Sequence, residues 1–364
     1  MSRDRGLRRR LPALVAPAIL LLARLGVAQA AVPEGTPLFI PLPPSALPAT
    51  LGANGFVAAG NLYSGGTFHW MPTSGVTPIG GLAVYHSTVD GRTFVGEALD
   101  PDKRVSAAVF TVGQGWQTLA GNVSPCDAFL SSARGVSDDG RIVVGLLWVG
   151  CQTVPFRWEQ STGMVPLSNV SSQSASATGV SGDGHVVVGW REDSTGFREG
   201  ARWLDGSEEI FQGPSGPAGE ARAANRDGSI VVGLTCQRAS GLNPPAAWMW
   251  RQGAAVTCFP VTPPSWAPVR PYTGLMQALS EDGRVTGGAI TFGNDAESVV
   301  WFDGEPFLLR DYLRSHGVAD AFDGWINTGF VTGISPDGRT IVGYGAGPLA
   351  FQGYMVILPP LGAK

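Results

Sequence analysis

The sequence predicts an all-β fold: a seven-bladed β-propeller of four-stranded blades, closed by an N-terminal strand that completes the last blade. Three observations lead there. A short apolar segment, an Asp-Gly or Asn-Gly turn and an apolar run ending in glycine recur along the chain, with turn glycines at Gly55, Gly91, Gly140, Gly184, Gly228, Gly283 and Gly338. A segment ending in an aromatic follows most of these runs, as at Trp70, Phe110, Trp158, Trp203, Trp250 and Trp301, and a further short strand follows that. Finally, the seventh unit stops after its third strand, while Phe39-Ile40-Pro41-Leu42 near the start matches the fourth-strand pattern of Met164-Val165-Pro166-Leu167.

Each element has a local reason. Glycine after Asp or Asn takes the positive φ that a tight hairpin requires, so the repeated dipeptide joins the first strand of a unit to its second. The runs that follow, such as Val186-Val187-Val188-Gly189, are apolar without alternation, which suits strands covered on both faces. Four strands per unit of roughly 45 residues is the period of a propeller blade. Proline in the closing strand suits an outermost position, where not every ladder hydrogen bond is donated. The link after blade six contains Leu309-Arg310-Asp311-Tyr312-Leu313, read as a short amphipathic helix stopped at Gly317.

Residues 1–30 are set apart as a signal peptide. Five arginines precede an apolar run from Leu11 to Ala23, and Ala28-Gln29-Ala30 supplies the small residues of a cleavage site. The run is too short to span a bilayer, so no transmembrane segment is expected in residues 31–364, which form one propeller domain, read as a monomer that is secreted or periplasmic. Without the leader, 19 basic and 28 acidic residues remain, a net charge of −9. That balance excludes a nucleic-acid surface. Four cysteines in an exported chain form two disulfides with three possible connectivities. Since each pair would tie down a local loop, Cys126–Cys151 and Cys236–Cys258 are expected.

With these repeats laid out, the chain resembles the HAF-repeat family of extracellular proteins. The resemblance rests on the Asp-Gly hairpins at Asp90, Asp139, Asp183, Asp227, Asp282 and Asp337, and on the C-terminal run through Gly333-Ile334-Ser335-Pro336-Asp337-Gly338 to Ile341-Val342-Gly343. The His-Ala-Phe triplet is not present literally, Ala350-Phe351 coming nearest. The resemblance implies export and a repeat fold and carries over no catalytic residue.

Candidate chemistry is sparse. The turn aspartates fall one per blade, whereas a calcium site needs six or more converging oxygens, so they are read as turn chemistry. His69, His86, His185 and His316 lack metal-ligand spacing, and neither a GxSxG elbow nor a phosphate-binding loop occurs; no metal and no cofactor is expected. Alternating strand direction places the Asp-Gly hairpins on one face and the longer loops on the other. On that loop face Tyr63, Trp190, Arg191, Asp193 and Trp266 are the expected ligand-binding residues. The function read from this is a non-catalytic binding module for a glycan or an envelope or extracellular protein. The alternative is a polysaccharide hydrolase or lyase with its site at the channel mouth, which inward-facing His, Arg and carboxylates there would favour.

Overall fold

A computed structural model describes residues 33–362, apart from 53–54, 56, 121–123, 126–128, 170, 237–245 and 268–271. The leader of residues 1–30, Cys126 and Arg270 lie outside the described residues. The chain folds into seven antiparallel four-stranded blades around a central axis, with Ser124–Pro125 added to the third as a short parallel pairing. Blade four is representative: Ala175–Val180 lies innermost, followed by Val186–Glu192, Arg198–Leu204 and Ser207–Ile210. Blade seven takes Asn327–Ile334, Thr340–Ala346 and Phe351–Ile357 from the C-terminus and Leu38–Pro44 from the N-terminus. Phe39 stands opposite Val356 and Ile40 opposite Met355, so the expected closure is present.

The turn aspartate does more than permit a hairpin. In blade four Ser181 Oγ donates to Asp183 Oδ1 at 2.5 Å, the same oxygen accepts the His185 backbone N–H at 3.0 Å, and Ser181 Oγ accepts from Val186 N–H at 2.9 Å. The clip recurs with Thr88 and Asp90, Ser137 and Asp139, Ser280 and Asp282, and Ser335 and Asp337. In blade five Asn225 replaces the serine and Ser229 donates to Asp227. These bonds hold the Asp90, Asp139 and Asp227 carboxyls below the usual carboxylate range: the Thr88 hydroxyl foremost, the Arg141 backbone N–H foremost and the Ser229 hydroxyl foremost, respectively.

Every innermost strand carries a register shift at one matching position, where one extra residue bulges from the ladder. The bulged residues are Ala49, Tyr85, Arg134, Thr178, Arg222, Gln277 and Thr332. The glycine that ends each apolar run answers the bulge: a Cβ on Gly189 would collide with the Ser176 carbonyl, and one on Gly145 with that of Ser132. The repeated Val-Val-Gly is thus fixed by backbone approach.

Between blades the core is aromatic and aliphatic. Trp70, Trp203 and Trp301 are buried as their register implied. Trp158 and Trp250 are only half-buried; in blade five Trp248 occupies the fully buried position instead, and Arg202 covers the Trp250 ring at 4.5 Å. The helix forms over Leu309–Ser315 and buries Leu309, Tyr312 and Leu313 beside blade six. Gly317, at φ +93°, follows its end.

Candidate functional site

The bulged residues meet around the axis, where they line a channel of about 680 Å³. Part of this ring is fastened blade to blade. Thr178 Oγ1 donates to Ala221 O at 2.7 Å, Gln277 Nε2 to Val331 O at 2.7 Å and Thr332 Oγ1 to Pro48 O at 2.8 Å. Each acceptor immediately precedes the next blade's bulged residue. Asn61 bridges blade one to Val84 of blade two, accepting its N–H at 2.8 Å and donating to its carbonyl at 3.2 Å.

Tyr85, Arg134 and Arg222 do something different. The Arg134 guanidinium lies 3.9 Å over the Tyr85 ring, whose hydroxyl donates to Glu97 Oε1 at 3.1 Å. Ser132 Oγ donates to that same carboxylate oxygen at 2.7 Å. On the next two blades the Arg198 guanidinium lies 4.0 Å over the Trp190 ring and bonds Glu220 Oε1 at 2.8 Å, while Arg222 pairs with Glu220 Oε2 at 2.8 Å. Trp190, Arg198 and Glu220 sit at strand ends on the loop face, so this cluster forms the channel's loop-face mouth. Stacked guanidinium planes with one edge bonded are held in a fixed orientation, ready to donate from the other edge.

Burial shifts two of the groups here. Burial pushes the Tyr85 hydroxyl up to about 12, against the lowering effect of Arg134. His86 is exposed to the lumen, and desolvation there lowers its imidazole from the ordinary value.

The expected ligand-binding residues share the loop face but do not converge. Trp190 lines the lumen. Arg191, pointing to the opposite side of its strand, binds Glu199 at 3.1 Å and Glu208 at 2.9 Å. Asp193 closes its own loop by accepting from the Thr195 and Phe197 backbone N–H groups. Tyr63 stands on the rim against Phe351, with ring centroids 5.3 Å apart, and Trp266 faces a second hollow. Cys236 and Cys258 are bonded as expected. Cys151 is also in a disulfide; its expected partner, Cys126, lies outside the described residues. Among the described residues no three His, Cys, Asp or Glu side chains gather as a ligand set, and no helix is long and apolar enough to cross a membrane.

Tyr85, Arg134, Arg198, Glu220 and Arg222 were not among the expected site residues. A signal existed for three of them. The bulged residue always lies five places before the turn Asp or Asn, as Thr178 does before Asp183, and a polar side chain at that place in an apolar strand marks the lumen.

No family model matches the chain, and no curated protein does. Solved structures do resemble it. An oligogalacturonate lyase in complex with manganese aligns with a TM-score of 0.55 at 11% identity, covering 90% of this chain and 99% of its own. Hydrazine synthase from Kuenenia stuttgartiensis aligns at 0.51 and 14%, covering 89% and 98%. TolB from Acinetobacter baumannii aligns at 0.46 and 13%, covering 74% of this chain, which spans 62% of the TolB chain. Likeness at these identities speaks to the propeller fold alone.

Proposed function

We propose that the chain is an exported, non-catalytic binding module that takes a glycan at the loop-face mouth of its channel. The observation that carries this reading is the mouth itself: Trp190 under Arg198, Arg134 over Tyr85, and Glu220 between two arginines. Guanidinium and carboxylate groups supported on aromatic rings offer donors and acceptors that suit a polyhydroxylated ligand. Export is supported by the leader-like residues 1–30, the HAF-repeat resemblance and the Cys236–Cys258 disulfide.

Inward-facing His, Arg and carboxylate were the features set to favour a hydrolase or lyase, and His86, Arg134, Arg198, Arg222 and Glu220 do line the channel. General acid–base catalysis works best with a group titrating near the working pH, whereas burial raises the Tyr85 hydroxyl beside them to about 12, which weighs against its use as the acid or base. The test incubates purified protein with a panel of polysaccharides and peptidoglycan and reads retention and soluble product from the same tubes. Retention without product supports the proposal. Product that survives repurification overturns it in favour of the enzyme, and neither signal overturns it in favour of a protein partner.

A further inference from the structure

A second hollow, of about 360 Å³, lies on the loop face away from the channel, with which it shares no lining residue. Its walls are Trp266 from the link between blades five and six, Ile326 just before blade seven, and Arg310, Asp311 and Arg314 from the short helix. All eleven tryptophans are among the described residues, and Trp266, 61% accessible, is the only exposed one. It meets Phe292 in a T-shaped contact, with ring centroids 5.5 Å apart at 77°. Ile326 beside it is 76% accessible. Two large apolar side chains exposed at one concavity mark a contact surface.

The floor is charged. Glu297 is 2% accessible and accepts a hydrogen bond from Thr328 Oγ1 through Oε2. Its other oxygen stands 3.6 Å from Arg310 Nη2, within ion-pair range but too far for a hydrogen bond. Glu297 Oε1 and Arg310 Nη2 are both buried with no hydrogen-bond partner among the described residues. Burial raises the Glu297 carboxyl. Glu297 thus anchors the guanidinium from behind, while the rest of Arg310 opens to the hollow beside the exposed Asp311.

We propose that this hollow is a separate subsite for one or two neutral sugar rings. A pyranose has an apolar C–H face to lie on Trp266 and hydroxyls that both donate and accept, so it satisfies Arg310 and Asp311 together. A simple anion would meet Asp311, a simple cation would meet two arginines, and a purely apolar ligand would leave all three unsatisfied. The volume lies at the small end of the range for ligand sites, about 300–1,000 Å³. Trp266 is the platform, Arg310 and Asp311 bind hydroxyls, and Glu297 is a positioning residue acting through Arg310.

The test is calorimetric titration of the purified protein with cellohexaose, chitohexaose, maltohexaose and xylohexaose. At least one binds; Trp266→Ala weakens it tenfold or more, Trp266→Phe retains part of the affinity, and Glu297→Gln weakens it while the melt stays cooperative. The exposed Val165→Ala, on the outer strand of blade three, leaves it unaltered. Binding to none of the four overturns the proposal, as does full affinity in Trp266→Ala. Loss in Arg198→Ala with retention in Trp266→Ala assigns the sugar to the channel, overturning this subsite while leaving the channel reading intact.

Discussion

The two faces of the ring are built from the same seven units and differ in what they repeat. On the hairpin face one hydrogen-bonded clip recurs: a Ser, Thr or Asn, then Asp two residues later, then a backbone N–H returned to each. Neighbouring hairpins are joined as well, Asp138 N–H to Gly182 O and Asp183 N–H to Arg226 O. On the loop face the blades differ more, although the Asp100 and Asp193 loops are closed alike, each carboxylate accepting the backbone N–H groups two and four residues on. Arg104 is pinned by Asp100 in one loop, Arg198 lies on Trp190 beside another, and Trp266 stands exposed in a third. Sameness between blades records the requirements of folding, and the lumen ring shows the transition: its bulge repeats in backbone, while its side chains run from Ala49 to Arg134.

The contrast can be broken, or sharpened, in descending steps. Deleting residues 33–45 removes the strand that joins the two chain ends, with its buried Leu42, and uncovers Met355 and its neighbours in that cluster. The melting temperature should fall sharply by calorimetry; an unchanged melt would refute closure. Gly189→Ala places a methyl against the Ser176 carbonyl, and overpacking of this kind costs about 1–3 kcal/mol or more. Chemical denaturation should show that loss. Cys236→Ser with Cys258→Ser opens a link spanning 22 residues, on the loop face, and should cost about 3 kcal/mol. Ser181→Ala deletes one clip hydroxyl and should cost about 1 kcal/mol, the same as Ser335→Ala, because the clip is the same.

The clip also gives a pH signature. Carboxyls held low in the folded state, as at Asp90, Asp139 and Asp227, contribute stability that is present above the unfolded value, about 3.9, and lost as pH falls through the folded one. Melting temperature should therefore drop between pH 5 and pH 3, and the drop should shrink in the variant carrying Asp→Asn at all three positions. Buried Glu297 has the opposite sign: raised in the folded state, it opposes folding at neutral pH and eases as pH falls.

Much of the scaffold was legible because it repeats. An Asp-Gly or Asn-Gly ahead of an apolar run ending in glycine marks each blade, and Phe39-Ile40-Pro41-Leu42 could be matched to an outer strand elsewhere and so placed at the seam. The Ser, Thr or Asn two residues before each of these aspartates was equally visible and carries half of the clip. The site was less legible because its residues come from different offsets in different blades. Trp190 and Arg191 are neighbours in sequence, yet strand alternation sends one to the lumen and the other to Glu199 and Glu208. Trp190 and Arg222 stand on consecutive blades and reach one mouth through the packing of those blades, which no local spacing records.

The central claim is that the loop-face mouth binds and the hairpin face only holds. It is tested most directly by measuring retention of four proteins on the polysaccharide and peptidoglycan panel: the parent, Arg198→Ala, Arg222→Ala and Ser181→Ala, each first checked for a cooperative melt. The account predicts that both arginine variants lose retention tenfold or more while Ser181→Ala melts earlier and still binds. Retention that survives both arginine changes, or that falls with Ser181→Ala alone, would contradict it.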